Sequence, residues 1–446
     1  MVRRIGRLAI LIVALAACSP SLPPPSSPAS VSPTTGATTA TSTPVPTEDR
    51  VAGWRSDLAS LVPGMDRLHP DLGHGTPVAD LEAAVARLSA DAPNLTDDQL
   101  LAGVLRIVAM VSARGCDAHT GAFIWGTGTY PVESLPLRLW LFPTELADSL
   151  VIVDALPPYE DLVGSTIDTI DGVEELQVRE ALASVVPRDN DWTFRLLVPR
   201  YVLIPQVLRG LGIAEDGPVS LGLTTPDGNP RTVGVQPIPM ADYNAWAGPY
   251  GLHLPADPNV QYLSKIDDAI WWAMQPDGET LFVQYNRVDH VSFRTLAGLK
   301  DALHAPAVGR IVLDLRHNFG GEVSALDPIL ADFDDAAVDQ PGRLYVITGR
   351  NTFSAASLLV ARLDAQTEAT IVGEPMGGCP TSYGNSADLT LPFSGIVVSV
   401  AGMLEVGVSA TDTRPTIEPD IPMELTRDQW ANGGDPAFGA ITTLVP

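Results

Sequence analysis

Ser354, His119, His317 and the pair Gly320 and Gly321 are the residues whose types and settings could do chemistry in this chain. A serine that cleaves an acyl bond needs a base within hydrogen-bond reach and N–H donors for the developing oxyanion. Ser354 stands where an apolar, β-branched run, Leu344–Thr348, turns through Gly349-Arg350-Asn351 into an Ala- and Leu-rich stretch. A serine there either caps a helix or attacks from a helix start, whose unpaired N–H groups favour negative charge. Gly320 and Gly321 follow a second apolar run, 311–315, and glycine backbone can approach a substrate closely. The Ala355 N–H, at the expected helix start, is a further oxyanion candidate. Lys265 and Lys300 are the only lysines, and neither adjoins a recognisable active-site loop, so the base is expected to be histidine. His119, in the Gly-flanked polar loop 114–121, and His317 are the loop candidates. His69 and His74, in LHPDLGHG, read as loop-packing residues because no third ligand stands nearby at a metal-site spacing. There is no HExxH, CxxC pair or phosphate loop, so no metal or cofactor is expected.

The elements that must position these groups can be read from the spacing of apolar residues. Strand Leu344–Thr348, a helix over 354–363 and a strand over 369–372 make a βαβ unit with parallel strands. Strands over 281–285, 311–315 and 396–400 and a helix over 293–305 extend it into an α/β core at 258–446. Residues 51–128 have a helical period: Trp54, Leu58, Leu61 and Val62 share one face, and Leu81, Val85 and Leu88 another. Thr96-Asp97-Asp98-Gln99 has the pattern of a capping box, and this domain ends in the His119 loop. Residues 129–240 form a mixed domain with strands over 137–142, 150–153 and 166–170, helices over 178–186 and 201–211, and turns at Asp171-Gly172 and Asp227-Gly228.

The first seventeen residues read as a leader: Arg3, Arg4 and Arg7 precede an apolar stretch too short to span a membrane. Leu15-Ala16-Ala17-Cys18 resembles the bacterial lipobox, which implies cleavage before Cys18, a lipid on Cys18 and an extracytoplasmic, membrane-tethered body. Residues 18–50 are a Pro/Ser/Thr-rich spacer. A formal net charge of −26 opposes binding to nucleic acid or anionic headgroups. With Cys18 as anchor, Cys116 and Cys379 remain as a pair free to form a disulfide outside the cytoplasm.

Five segments, in order, resemble the tail-specific or C-terminal-processing serine protease family. Asp314 to Gly321 is similar to its D-L-R-x-N-x-G-G segment, and Thr352-Phe353-Ser354-Ala355-Ala356 to its nucleophile segment. Ile371-Val372-Gly373-Glu374 is similar to its V-G-E, Asp117-Ala118-His119-Thr120 to the G-D-x-H-T of its tricorn-like branch, and Glu418-Pro419-Asp420-Ile421 to its closing x-P-D-I. The resemblance implies a multidomain α/β protein with a ClpP/crotonase-like core, an inserted PDZ-like domain around Gly164 to Gly172, and cleavage of peptide or protein substrates. Where one branch carries a lysine base this chain has Cys379, so the histidine-base branch and His119 are implied. That branch often has serine before the histidine, and here it is Ala118. An acidic residue near the C-terminal motif completes the relay, with Asp412 the first choice and Glu418 the second. If the His119 loop and the loop after Glu374 border one site, Cys116 and Cys379 are neighbours, and a disulfide between them is expected. The competing reading is a non-catalytic lipoprotein of the same fold that binds peptides or apolar ligands, and a weaker one is an esterase using the same serine.

Overall fold

The runs of apolar residues in the C-terminal half become the strands of one six-stranded sheet. In the computed structural model, which describes residues 47–126, 130–145, 148–248 and 252–444, the strand order is Ile421–Pro422, Thr370–Gly373, Leu344–Thr348, Arg310–Asp314, Thr280–Tyr285, Ile270–Met274. All neighbours are parallel except the last pair. Leu344–Thr348 is apolar throughout because both of its faces are covered. Leu344 and Val346 pack beneath the helices Phe293–Leu303, Leu326–Phe333 and Ala355–Gln366, while Tyr345 and Ile347 meet Ala437 and Ile441 of the helix Pro436–Thr443 on the other face. The expected βαβ unit is therefore present, with Ile347 opposite Val372 in parallel register.

Three helices, Thr47–Leu68, Val78–Asp91 and Asp97–Ala109, open the described chain. Thr96 and Gln99 form the expected capping box. Trp54, Leu58, Leu61 and Val62 are buried. They belong to one apolar core that continues through the antiparallel sheet of Leu137–Pro143, Asp148–Ala155, Thr166–Ile170, Val219–Thr224 and Pro230–Val235. The helical and mixed regions expected as separate domains thus share a single core. The helix expected over 201–211 is interrupted. The helix Asp191–Val202 ends before Ile204, which is extended at φ −105° and ψ 102° ahead of Pro205, and a second helix runs Pro205–Gly210.

The His119 loop leaves the helical layer and lies against late segments of the chain. Gly121 and Ser399 exchange backbone hydrogen bonds of 3.0 and 2.9 Å, and the Tyr383 N–H donates to Cys116 O at 2.9 Å. Tyr383 lies on the strand Thr381–Gly384, which pairs antiparallel with Met403–Val406. Among the described residues no helix is long and apolar enough to cross a membrane. The expected leader, Cys18 and the linker up to residue 46 lie outside the described residues.

Candidate active site

Ser354 owes its exposure to a tight exit from the central strand. Thr352 Oγ1 accepts the Gly349 N–H at 3.0 Å and donates to Leu315 O at 2.9 Å, and the Phe353 N–H donates to Asn318 O. Ser354 follows at φ 55° and ψ −130°. For a residue with a side chain, such a conformation costs about 1–3 kcal/mol and persists only where the surroundings enforce it. Ser354 sits at the N-cap position of Ala355–Gln366 but makes no capping bond. Its Oγ lies instead 3.0 Å from His119 Nε2.

The glycine pair packs directly against this turn. A Cβ on Gly320, at φ +94°, would stand 2.6 Å from Ser354 Cβ and 2.7 Å from the Ala355 nitrogen, so only glycine fits. The Gly320 N–H, however, donates to Asn318 Oδ1 at 2.9 Å, which removes it from the expected oxyanion donors. Gly321 and Ala355 keep N–H groups that no hydrogen bond among the described residues claims.

His119 is half-buried, with Nδ1 shielded from solvent, and stacks on Phe353 with ring centroids 4.6 Å apart. Burial lowers its imidazole to about 4, opposed by the Asp117 carboxylate and the Tyr383 backbone. The ring is therefore neutral at ordinary pH. Nδ1 has no partner in full hydrogen-bond geometry, leaving Tyr383 as a weak backbone neighbour on that side. With the proton on Nδ1, Nε2 is free to accept the Ser354 hydroxyl.

Neither expected acid reaches His119. Asp412 is taken by Arg414 at 2.8 Å on the same short loop. Glu418 is exposed and lines a different cavity, with Arg106 and Asn190. Two residues of sequence separation let Arg414 claim Asp412 without any help from the fold. His317 is not a base for Ser354 either: it is half-buried with both ring nitrogens shielded from solvent, stacks on Tyr262 at 5.8 Å and lines a separate small cavity.

The missing third neighbour of His69 and His74 is Asp117, 48 residues after His69. His69 Nε2 lies 3.0 Å and His74 Nε2 3.6 Å from Asp117 Oδ2. A metal reading fails on the tautomer of His69. The Asp71 N–H donates to His69 Nδ1 at 3.0 Å, so the His69 proton sits on Nε2 and is donated to Asp117, leaving that nitrogen no lone pair for an ion. Asp117 also accepts the Thr120 N–H at 3.2 Å, so the cluster fixes the His119 loop.

The sequence assigned no role to three further groups, although Asn318 and Glu374 stand in segments quoted above. Arg350, beside the nucleophile turn, forms a buried fork with Glu374 at 2.6 and 2.9 Å and donates to Leu141 O of the antiparallel sheet. Asn318 Nδ2 donates to Tyr285 O, locking the glycine turn to its neighbouring strand. Asp189, from the mixed region, meets the His119 loop from below. Cys116 and Cys379 are joined by a disulfide, with Cα atoms 5.4 Å apart. His119 and Ser354 open onto a cavity of about 420 Å³ walled by Phe123, Trp125, Leu196, Leu197 and Phe319, with Arg287 as the one charged side chain among its described lining residues.

No protein-family model and no curated protein matches the chain. Among solved structures, a serine-to-alanine mutant of CPAF covers 89% of this chain and 99% of its own, with a TM-score of 0.61 at 11% identity. The chain is similar in fold to CPAF. Mature CPAF complexed with lactacystin covers 88% of this chain and 97% of its own, with a TM-score of 0.59 at 13% identity. The photosystem II D1 C-terminal processing protease covers 83% and 92% at 15% identity, but its TM-score of 0.39 carries no argument.

Proposed function

We propose that this chain is a serine peptidase of the tail-specific type, in which His119 is the base for a Ser354 acyl-enzyme. The observation that carries the reading is the 3.0 Å approach of His119 Nε2 to Ser354 Oγ across 235 residues of sequence, at the mouth of a cavity. His119 takes the hydroxyl proton as Ser354 attacks the scissile carbonyl. The Gly321 and Ala355 N–H groups hold the oxyanion. His119 then returns the proton to the leaving amine, and water releases the acyl group by the same steps. The parallel sheet and its helices serve as the ClpP/crotonase-like core, and the antiparallel sheet around residues 137–235 as the PDZ-like module that presents peptide ends. In the same reading a lipid on Cys18 tethers the body to the outer face of the cell membrane.

The fluorophosphonate labelling rate of the full chain tests the reading. Wild type labels, Ser354→Ala does not, and His119→Ala labels slower by about a hundredfold or more. Folded wild-type protein that never labels would refute the peptidase and leave the peptide-binding lipoprotein.

A further inference from the structure

Asp189 lies on the segment between the helices Glu175–Leu182 and Asp191–Val202, far in sequence from both reacting groups. One of its carboxylate oxygens accepts the Ala118 N–H at 2.6 Å and the other the Cys379 N–H at 3.1 Å. Its backbone oxygen accepts the Cys116 N–H at 3.0 Å. A single residue of the mixed region therefore grips the residue before His119 and both ends of the disulfide. The neighbouring Asn190 fastens the same segment to the Cys379 loop, its Nδ2 donating to Met376 O at 3.2 Å and to Pro415 O at 2.7 Å.

We propose that Asp189 is a positioning residue that, when ionised, holds the His119 loop in register with Ser354, and that its protonation releases the loop. The inference rests on the peptidase reading for its rate effect, though not for its effect on the loop.

The carboxylate is 1% exposed and has no Lys or Arg partner among the described residues. Burial, with repulsion from nearby Asp117, pushes it up to about 7 against the two N–H bonds that favour its charge. Other charged groups near it are Arg106, Arg114, Arg188, Asp191 and Glu418, which line the adjoining cavity. Of these the Arg188 guanidinium is already engaged, donating to Ala183 O and lying over the Phe194 ring. Ionised, the carboxylate accepts from both loops. Protonated, one oxygen becomes a hydroxyl, a far poorer acceptor than a carboxylate oxygen, and one of the two bonds is weakened.

The pH dependence has two separable parts. His119 alone, at about 4, would place the loss of activity well into acid. Asp189 places it near 7. Stability moves the other way. The folded carboxylate binds its proton more tightly than the unfolded one, so between the unfolded value of 3.8 and about 7 this group makes the fold more stable as pH falls. Loss of rate together with a firmer fold is not what general acid unfolding gives.

The experiment is the labelling rate of wild type and Asp189→Asn between about pH 5 and 9, with amide hydrogen exchange of Ala118 and Cys379 over the same range. An amide at 189 presents a donor to one of the two N–H groups, so Asp189→Asn should label about tenfold or more slowly at pH 8. Its rate should also lose the wild-type inflection near 7. In wild type, protection of both amides should drop as pH falls through 7. Equal rates for the two proteins, or a slower variant that keeps the inflection, would overturn the proposal. If wild type does not label at any pH, the peptidase reading fails, and the exchange data still decide this one: pH-independent protection of Ala118 and Cys379 in wild type rejects it. The same wild-type measurement decides if Asp189→Asn does not fold.

Discussion

Opening the Cys116–Cys379 bond should cost the protein more stability than any single core truncation, and the size follows from where the bond lies. It closes a loop with a sequence separation of 263 residues. Cross-linking a loop of that length removes about 5–6 kcal/mol of chain entropy from the unfolded state. Little of this is recovered by native relaxation, because both loops stay tied by other bonds: Tyr383 N–H to Cys116 O, Cys116 N–H to Asp189 O and Cys379 N–H to Asp189. The double variant Cys116→Ala/Cys379→Ala avoids burying two thiols or hydroxyls and should lose about 4–6 kcal/mol relative to oxidised wild type. Guanidinium denaturation of both proteins, followed by fluorescence and far-UV circular dichroism, measures the loss. Thiol titration of the unfolded, unreduced wild type accompanies it, and Cys18 reacts only where its sulfur carries no lipid. Coincident denaturation curves, or two additional free thiols in wild type, would refute the reasoning.

Glu374→Gln leaves the Arg350 guanidinium buried without its counter-charge and should destabilise the fold by about 3–5 kcal/mol. Burial alone would raise the Glu374 carboxyl, but Arg350 and its hydrogen bonds hold it below the usual range, so the wild-type advantage is full above the unfolded carboxylate value and shrinks as pH falls below it. Chemical denaturation at pH 7 and pH 4 checks both the size and the sign. Gly320→Ala drives a methyl group into Ser354 Cβ and the Ala355 nitrogen, and should slow labelling by about a hundredfold. Its melting temperature should fall as well, because a side chain at φ +94° is strained, and a wild-type labelling rate would contradict the packing described here.

The elements nearest Ser354 were the most legible in sequence, and physics explains which others were not. Leu344–Thr348 declares itself because a strand covered on both faces is apolar at every position. Ser354 and the glycine pair lie within a few residues of such strands, so their placement follows from local pattern. The helix Asp191–Val202 was hidden by Pro199 in its interior, and only its Asn190 cap, accepting the Trp192 and Thr193 N–H groups, marks its start. The strands Thr381–Gly384 and Met403–Val406 are four residues each, too short for a period to show. Acidic residues were the least legible. Asp412 is claimed by Arg414 two positions away, and Asp117 and Asp189 matter through partners that only the tertiary fold brings near.

The pairing of a neutral, half-buried imidazole with no carboxylate on Nδ1 among the described residues changes how such a site would have to work. A base lowered to about 4 is a poor resting proton acceptor. It becomes a better one only when a negative charge appears beside it. In a buried site two opposite charges a few ångströms apart attract far more strongly than in water. Imidazolium and oxyanion must therefore form together, each making the other affordable in a cavity that excludes water. In the proposed mechanism this puts unusual weight on the Gly321 and Ala355 N–H groups, which would hold one of the two charges, and on Asp117, whose carboxylate favours the other. It also explains why so much of the chain, from the His69–Asp117 contact to the disulfide and Asp189, serves to hold one loop still. With no carboxylate on Nδ1 among the described residues, the Phe353 stack and the backbone around the loop would have to aim the ring.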